Sequence, residues 1–344
     1  MIADPAERAT RIKAEAYALG FDLVGIARLG EVATAPHFRA WLAQGHAGTM
    51  QWLERGADKR DDTRRVFEGA ASAIVVGMNY GGTQPPGPIA RYARGRDYHD
   101  VMVDRLNLLL TRLREVVAPG VRGKPYVDTG PILERDLARR AGLGWFGKHT
   151  NLINPRLGSF FFIGSLFTDL DLPADAPFEA DRCGSCTRCL DACPTDAFTA
   201  PHVLDATRCI SYLTIELRDD IPEPLRAKLG ALVFGCDICQ EVCPWNVKFS
   251  RDVTDPELQP VPSRIAPDLA ALLALTDEGF RAVFRHSAIT RTKRKGLARN
   301  AAVALGNRGA SGDAEALERA QLLDPEAIVR THAEAALQRL SGRG

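Results

Sequence analysis

Residues 183–194 read CGSCTRCLDACP, and this stretch decides more of the fold than any other part of the chain. It is a complete C-x2-C-x2-C-x3-C-P run, in which three thiolates surround one 4Fe–4S cubane and the fourth points to a second one. The spacing therefore predicts a bacterial-ferredoxin-like module that binds two clusters.

A second cysteine run lies downstream, where residues 236–244 read CDICQEVCP. It lacks the first cysteine of the usual run, and Cys209 is the only cysteine left to supply it. All eight cysteines of the chain then have a place. The predicted ligands of cluster one are Cys183, Cys186, Cys189 and Cys243, and those of cluster two are Cys193, Cys209, Cys236 and Cys239.

Zinc is the alternative occupant, because C-x2-C pairs also hold zinc in tetrahedral sites. The three-cysteine first run and the two C-x3-C-P endings favour clusters. Two neighbouring clusters relay single electrons, so we expect the module to carry electrons from an external one-electron donor to another part of the chain.

Two proline-rich stretches, 171–177 and 256–267, bound this module. Before it, helical periodicity at residues 99–118 alternates with apolar runs typical of buried strands at 73–78 and 160–167, which predicts an α/β domain. After it, Ala- and Leu-rich periodicity predicts an all-α domain. The predicted domains are 1–175, 176–250 and 251–344.

The tail contains a weak internal repeat. Residues 299–305 are echoed by residues 331–337, and the aligned Ala301 and Ala333 are 32 positions apart. That period predicts helical-hairpin repeats of the HEAT kind, with alanine where helices pack closely. The alternative is a pair of unrelated Ala-rich helices.

Composition and charge bear on the cellular location and the partners of the protein. The chain has 344 residues and a formal net charge of +1. The overall charge therefore says nothing about whether a nucleic acid or a membrane is a partner. Short cysteine-rich clusters suit a reducing compartment. The first eight residues lack the apolar core of a signal peptide, and no apolar run is long enough to cross a membrane. We therefore expect a cytoplasmic protein, and a monomer, since nothing marks a dimer interface.

Three further segments carry a family resemblance. Residues 236–246 (CDICQEVCPWN), 141–148 (AGLGWFGK) and 127–135 (VDTGPILER) resemble those of the epoxyqueuosine reductase family, and the likeness covers nearly the whole chain. The resemblance implies a catalytic domain of the nitroreductase or reductive-dehalogenase type that binds cobalamin in addition to two 4Fe–4S clusters. It also implies the reaction: the epoxide of epoxyqueuosine, at the wobble position in the anticodon loop of transfer RNA, is reduced to the alkene of queuosine.

The resemblance places the catalytic acid at Asp128. Such an acid has to be protonated near neutral pH, so a buried pocket is expected to raise its pKa. The alternative is that Asp128 caps a helix beginning at Pro131. The polar residues expected to contact cobalamin are Tyr98, His99, Asp128, Arg135, Lys148, Thr150, Ser159, Ser211 and Thr214.

Two motifs have weaker interpretations. Residues 97–99 read DYH, the start of a D-x-H-x-x-G motif that supplies an axial histidine to some corrinoid proteins, but Met102 replaces the glycine and His99 is not assigned to cobalt. Residues 142–147 match G-x-G-x-x-G. A dinucleotide site or P-loop requires a strand before and a helix after this motif, and a glycine-rich loop near another bulky cofactor is the preferred interpretation.

Residues 281–299 contain basic residues and no acidic one. A patch of one sign suits phosphate binding and predicts transfer-RNA contact; the alternative is a solvated helix face. The predicted contacts are Arg281, Arg285, Arg291, Lys293, Arg294, Lys295 and Arg299.

Two other functions compete with tRNA modification. A reductive dehalogenase shares cobalamin and two clusters, but typically carries a twin-arginine export signal, whereas Arg64 and Arg65 are internal here. A non-enzymatic iron–sulfur electron carrier needs no corrin, and the long segment ahead of the clusters argues against it.

Overall fold

The computed structural model describes residues 4–342. The predicted absence of an export signal, and the outer ends of the first and last predicted domains, fall in part on residues 1–3 and 343–344, which lie outside the described residues. Among residues 4–342, no helix is both long and apolar enough to span a membrane.

An antiparallel sheet forms the centre of the first part of the chain. The strands of this part are β1 (Leu23–Arg28), β2 (Ser72–Asn79), β3 (Gly123–Tyr126), β4 (Trp145–Phe146), β5 (Leu152–Ile153) and β6 (Phe161–Thr168). Its helices are α1 (Pro5–Ala18), α2 (Ala35–Ala43), α3 (Trp52–Arg55), α4 (Ala57–Asp61), α5 (Tyr98–Val116) and α6 (Glu134–Arg140). The sheet order is β1-β2-β6-β3, and β4 pairs with β5 in a separate hairpin.

Helices and strands alternate along this part of the chain, as predicted. All three strand pairs of the sheet are antiparallel, a direction that the sequence prediction left open. Alternation of helices and strands along the chain does not fix strand direction. Residues 29–71, between β1 and β2, are long enough to return the chain in either direction. The buried strands and the long helix were predicted to within about two residues, the usual uncertainty of element ends.

Strand β2 is buried along its full length because both faces of the sheet are covered. Ile74, Val76 and Met78 pack into the core that contains helices α1 and α5. Ala73 and Val75, on the opposite face, pack into the core that contains helix α6. This two-sided burial explains why the strand reads as a continuous apolar run rather than an alternating one.

Short elements and loops build the cysteine-containing part. Its helices are α7 (Arg188–Asp191), α8 (Ile210–Ile215), α9 (Glu223–Arg226), α10 (Ile238–Glu241) and α11 (Pro244–Phe249), and its strands are β7 (Phe198–Ala200) and β8 (Val203–Leu204). Few of the cysteines therefore lie within a helix or a strand, and most lie in loops.

The tail is helical, as predicted. Its helices are α12 (Pro262–Ile265), α13 (Leu269–Leu273), α14 (Asp277–Val283), α15 (Lys293–Arg308), α16 (Asp313–Leu323) and α17 (Ala327–Ser341). Ala301 of α15 and Ala333 of α17 are fully buried, and a Cβ added to Gly306 would lie 2.6 Å from the Cβ of Ala336. Small residues thus permit the close approach of α15 and α17, while the HEAT repeat itself stays a prediction.

The tail packs against the rest of the protein. Ile89 and Phe234 join residues of α15 in one apolar core. The fully buried Arg299 donates to the backbone carbonyls of Leu213 and Leu217. Because these contacts cross the predicted domain boundaries, the three parts meet over buried surfaces rather than through flexible linkers.

Candidate functional site

Four cysteines line one cavity of about 400 Å³: Cys183, Cys186, Cys189 and Cys243. They are the set predicted for cluster one. Burial, together with the charges of the other three thiols, raises the pKa of Cys189 to about 11. Several thiolates close together in a buried site are stable only with a compensating positive charge, which bound iron supplies.

The other four cysteines form a second group. Burial raises the pKa of the Cys236 thiol, and the charges of Cys209 and Cys193 raise it further, so these three lie close together. Cys239 is influenced in the same way by Cys236 and Cys209. The backbone N–H of Ala197 donates to the sulfur of Cys193 across 3.3 Å. These are the predicted ligands of cluster two.

The geometry of the thiols bears on the zinc alternative. Among residues 4–342, no group of three or more His, Cys, Asp or Glu side chains is spaced to hold a single metal ion. The cysteines of cluster one instead surround a cavity far larger than one ion requires. This arrangement suits a cubane better than a mononuclear tetrahedral site.

A polar group is centred on Asp128, at the end of strand β3. The Tyr98 hydroxyl donates to Oδ2 of Asp128 across 3.1 Å, and Nε2 of His99 lies 3.5 Å from the same oxygen. On its other side, Nδ1 of His99 lies 2.7 Å from Oδ1 of Asp97. The His99 imidazole therefore bridges two carboxylates.

Local sequence explains this placement. Asp97 caps helix α5 by accepting from the His99 backbone N–H, which sets Tyr98 and His99 in the first turn. Asp128 has φ 59°, in the left-handed region, and its backbone N–H donates to Oε1 of Glu134 across 2.6 Å. Such backbone strain in a non-glycine residue is common at functional sites. Helix α6 begins at Glu134 without a side-chain cap, so Asp128 does not cap it.

The ionisation of this group differs from the prediction that burial raises the pKa of Asp128. Burial does act in that direction, but the hydrogen bond and charge of His99, with those of Tyr98 and Arg135, outweigh it and lower the pKa. Burial opposes the protonation of His99, yet its hydrogen bonds to Asp128 and Asp97 raise the pKa to about 9. The proton is therefore stored on His99 near neutral pH.

Glu134 provides a second, half-buried acid next to Asp128. Burial, reinforced by the charge of Asp128, raises the pKa of Glu134 well above its usual range. Sequence reasoning did not assign a role to Glu134 or Asp97, although both lie in the quoted motifs. Their signal was spacing: Asp97 is two residues before His99, and Glu134 is six residues after Asp128.

We call the open space in front of the Asp128 carboxylate the recess. The Asp128 side chain is 63% exposed, yet burial is the largest influence on its pKa, a combination expected where protein surrounds an open space. Arg135 borders the recess and donates to the backbone carbonyl of Thr150 across 2.6 Å. The structure thus brings Tyr98, His99, Asp128, Arg135 and Thr150 together.

Three other predicted cobalamin contacts are corrected by the structure, because each has its polar group committed elsewhere. Lys148 donates to the carbonyls of Gly184 and Cys186, at 2.7 and 3.0 Å, and so holds the cluster-one loop. The other two are buried: the Ser159 hydroxyl is bonded to Gln240 and Asn246, and the Thr214 hydroxyl donates to the carbonyl of Ile210.

Ser211 lies beside cluster two instead. Its backbone N–H and its hydroxyl both hydrogen-bond to Cys209 and act to lower the pKa of that thiol, although burial raises it overall. The glycine-rich segment 142–147 runs into the β4–β5 hairpin rather than from a strand into a helix. A Cβ on Gly144 would lie 2.1 Å from the carbonyl oxygen of Ile153, so hairpin packing accounts for that glycine.

The predicted basic patch is partly wrong. Arg294 is buried and binds both carboxylate oxygens of Asp324, at 2.7 and 2.6 Å, and Arg299 is buried among backbone carbonyls. Neither guanidinium is available to a phosphate. The remaining side chains lie at the surface: Arg281, Arg285, Arg291 and Lys293 are exposed, and Lys295 is half-buried.

Arg291 connects this surface to the recess. It forms two hydrogen bonds with Glu216, at 3.0 and 2.9 Å, while the charge of Asp128 also raises its pKa. The exposed cations of the tail therefore begin beside the Asp128 group.

Two cysteine groups in a small module, packed against a domain with a polar recess, define an iron–sulfur redox protein. A family model described as a 4Fe-4S double cluster binding domain matches residues 182–246, which confirms the two-cluster module. A second model, described as epoxyqueuosine reductase QueG, DUF1730, matches residues 60–129.

Full-length relatives specify the family. The chain is 43% identical over 341 residues to an epoxyqueuosine reductase of Xanthomonas campestris pv. campestris, covering 96% of this chain and 95% of the relative. It is 40% identical to one of Pseudomonas aeruginosa, covering 98% and 95%. The protein belongs to the epoxyqueuosine reductase family.

A solved structure agrees with this assignment. The chain superposes with a TM-score of 0.88 on a crystal structure of an epoxyqueuosine reductase with an epoxyqueuosine-modified tRNA-Tyr stem loop, at 30% identity, covering 96% of this chain and 89% of the other. Over that 96% of the chain, from the sheet to the helical tail, the fold is therefore that of the family.

Proposed function

We propose that the protein reduces the epoxide of epoxyqueuosine, at the wobble position of transfer RNA, to the alkene of queuosine, the last step of queuosine biosynthesis. One observation carries the proposal: a chain that matches epoxyqueuosine reductases over 96% of its length places a proton store, the half-buried His99 with the exposed Asp128, at the recess. A cytoplasmic location follows from such a substrate, and we propose that the protein acts there as a monomer.

We infer that cobalamin occupies the recess. The residues present fit the polar edge of such a group, because the open face of Asp128 is bordered by the Tyr98 hydroxyl, the Arg135 guanidinium and the backbone of Thr150. When bound, cobalamin would supply reduced cobalt that opens the epoxide, with electrons from the two clusters. Tyr98, Arg135 and Thr150 would hold its polar edge.

Removing the epoxide oxygen as water requires two electrons and two protons. Charge develops on that oxygen when a carbon–oxygen bond breaks, so a proton donor has to face it. Asp128 is the open member of the group, and the proton on His99 can pass to it. Glu134, whose raised pKa also favours its protonated form near neutral pH, accepts from the backbone N–H of Asp128 and adds a second proton store beside it.

Electrons would enter at cluster one and leave from cluster two. The cavity of cluster one opens between Arg182, Lys248 and Phe249, of which the first two are exposed. Beside cluster two, Asp237 accepts from the backbone N–H of Arg91 across 2.7 Å. The next residue, Tyr92, packs edge-on against Tyr98, which bonds to Asp128, so this cluster adjoins the recess.

The tail would bind the anticodon stem and loop. We propose that Arg281, Arg285, Arg291, Lys293 and Lys295 contact phosphates, because their surface begins beside the recess into which the modified base has to turn. We keep the predicted domains, 1–175, 176–250 and 251–344, and the HEAT-like nature of the third, as part of this proposal.

The experiment that tests the function is a reaction with epoxyqueuosine-containing transfer RNA. The protein is purified without oxygen, reconstituted with iron, sulfide and cobalamin, and supplied with a chemical reductant. We expect mass spectrometry of the digested RNA to show queuosine only when all components are present. Intact epoxyqueuosine with a fully loaded protein that binds the RNA would overturn the proposal, and halide release from a halogenated phenol would favour a dehalogenase.

A further inference from the structure

His149 presents a buried ring nitrogen that needs an acceptor. The residue lies in the β4–β5 hairpin loop, 2% exposed, and its Nδ1 is 3.2 Å from the backbone N–H of Asn151. Since that N–H is a donor, Nδ1 is the acceptor, and the proton of the neutral ring is on Nε2. Among the residues that the structure describes, no atom pairs with Nε2.

The surroundings of His149 identify the missing acceptor. The side chain lines the cavity of about 400 Å³ whose other walls include Cys183, Cys186, Cys189 and Cys243. Buried donors without a partner are rare and costly in native proteins. A cluster held by these four cysteines fills the cavity with sulfur, and sulfur is the acceptor available there.

We propose that His149 is a positioning residue that donates an Nε2–H···S hydrogen bond to cluster one and so raises the reduction potential of that cluster. Reduction adds one electron to the cluster and increases the negative charge on its sulfurs. A donor aimed at sulfur therefore stabilises the reduced form more than the oxidised form. The proposal rests on the cluster assignment and is independent of the epoxide reaction.

The ring is fixed in this orientation by its neighbours. A Cβ on Gly147 would lie 2.9 Å from Cε1 of His149 and 2.6 Å from Cδ1 of Ile153, so a side chain there would displace the loop. Lys148 is anchored on two carbonyls of the cysteine loop. The Asn151 N–H keeps Nδ1 as an acceptor and so leaves the ring proton on Nε2.

The test is a redox titration of both clusters, followed by electron paramagnetic resonance, in wild-type protein and two variants. His149→Phe removes the donor, and we expect the equilibrium constant for reducing cluster one to fall about tenfold, which is about 59 mV for one electron. His149→Gln, which keeps an N–H group, should recover part of that shift. Cluster two serves as the internal control and should not move.

Pulsed resonance on wild-type protein with ¹⁵N-labelled histidine provides a second measurement. We expect reduced cluster one to couple to one histidine nitrogen through the hydrogen bond. An unchanged potential in a fully iron-loaded His149→Phe protein would overturn the proposal. If that variant fails to assemble, the absence of any histidine coupling in the wild-type protein would overturn it instead.

Discussion

Oδ2 of Asp128 lies 3.5 Å from Nε2 of His99, and the pair holds one proton in a recess of the protein. The imidazole is pinned from behind by Asp97, so its Nε2–H can only point towards Asp128. A carboxylate that is open to substrate and backed by a protonated imidazole is equipped to deliver protons repeatedly. The role of each residue in this proton relay can therefore be tested by a single substitution.

Removing the acid function should abolish turnover while leaving the cofactors in place. Asp128→Asn keeps the shape and the Tyr98 bond but cannot relay a proton, so we expect turnover to fall by about 10²–10⁴-fold. Iron content and cobalamin binding, measured on the same sample, should match the wild type. Turnover at the wild-type rate would show that Asp128 has no role in proton transfer.

The proton on His99 should set an alkaline limit to activity. The pKa of His99 is raised to about 9, so the ring is charged below that pH and neutral above it. We expect turnover to fall as pH rises through about 9. The titratable groups that face the ring are Asp97, Asp128, Glu134 and the stacked Tyr98. Arg135 and Arg291 act on Asp128 instead.

The variant that tests this prediction is His99→Gln. Its turnover should be lower than that of the wild type at every pH, and it should no longer fall as the pH rises through about 9. A pH profile identical in shape to the wild type would mean that another group limits the reaction. The measurement is the initial rate of queuosine formation at saturating transfer RNA.

Glu134 should make the protein less stable as pH rises. Burial raises the pKa of Glu134 in the folded protein. The folded protein therefore still holds a proton that the unfolded chain has lost once the pH exceeds the usual glutamate pKa of about 4.3. A raised pKa favours the folded state fully at low pH and progressively less as pH rises towards the folded-state value. In Glu134→Gln the amide oxygen can still accept from the backbone N–H of Asp128. The amide does not titrate, so this variant does not lose stability as the pH rises.

We therefore expect Glu134→Gln to unfold at a higher temperature than the wild type near pH 8 and at a similar temperature near pH 4. Anaerobic thermal unfolding at both pH values measures the difference. A difference that is the same at both pH values would contradict a raised pKa of Glu134 in the folded protein.

The exposed cations of the tail should contribute salt-dependent RNA affinity. Combined Arg281→Glu and Lys293→Glu should weaken transfer-RNA binding, and the slope of log K against log salt should fall by about 0.7–0.9 for each phosphate that is no longer neutralised. Arg122→Glu is the control, because Arg122 is exposed near the opposite end of β3 from Asp128, where it pairs with Asp169.

Binding measured by fluorescence anisotropy over a range of salt concentrations separates the two variants. If the tail variant and the Arg122→Glu control bind alike, with equal salt slopes, the tail does not contact phosphates.

Sequence was most informative where chemistry fixes spacing. The cysteine runs predicted which thiols lie close together, because cubane geometry restricts the spacing of its ligands, and the apolar run of β2 predicted a buried strand. Strand direction was less accessible, since alternating helices and strands permit either direction across a long connection.

Charge patterns were the least reliable guide to the site. Arg294 and Arg299 look like members of a basic surface but are buried against Asp324 and backbone carbonyls, partners that no local pattern reveals. The pKa of Asp128 was predicted with the wrong sign because His99, which lowers it, lies 29 residues away in the sequence. Long-range contacts decided both outcomes.

The most direct test is the mass of the wobble nucleoside after the time that the wild type needs for one turnover, measured with wild-type protein and with Asp128→Asn, both carrying full iron and cobalamin. We expect the wild type to remove one oxygen atom and yield queuosine, while the variant leaves epoxyqueuosine unchanged over the same time. Queuosine formed equally by both proteins would contradict the role of the Asp128–His99 pair, and epoxyqueuosine left intact by both would contradict the function itself.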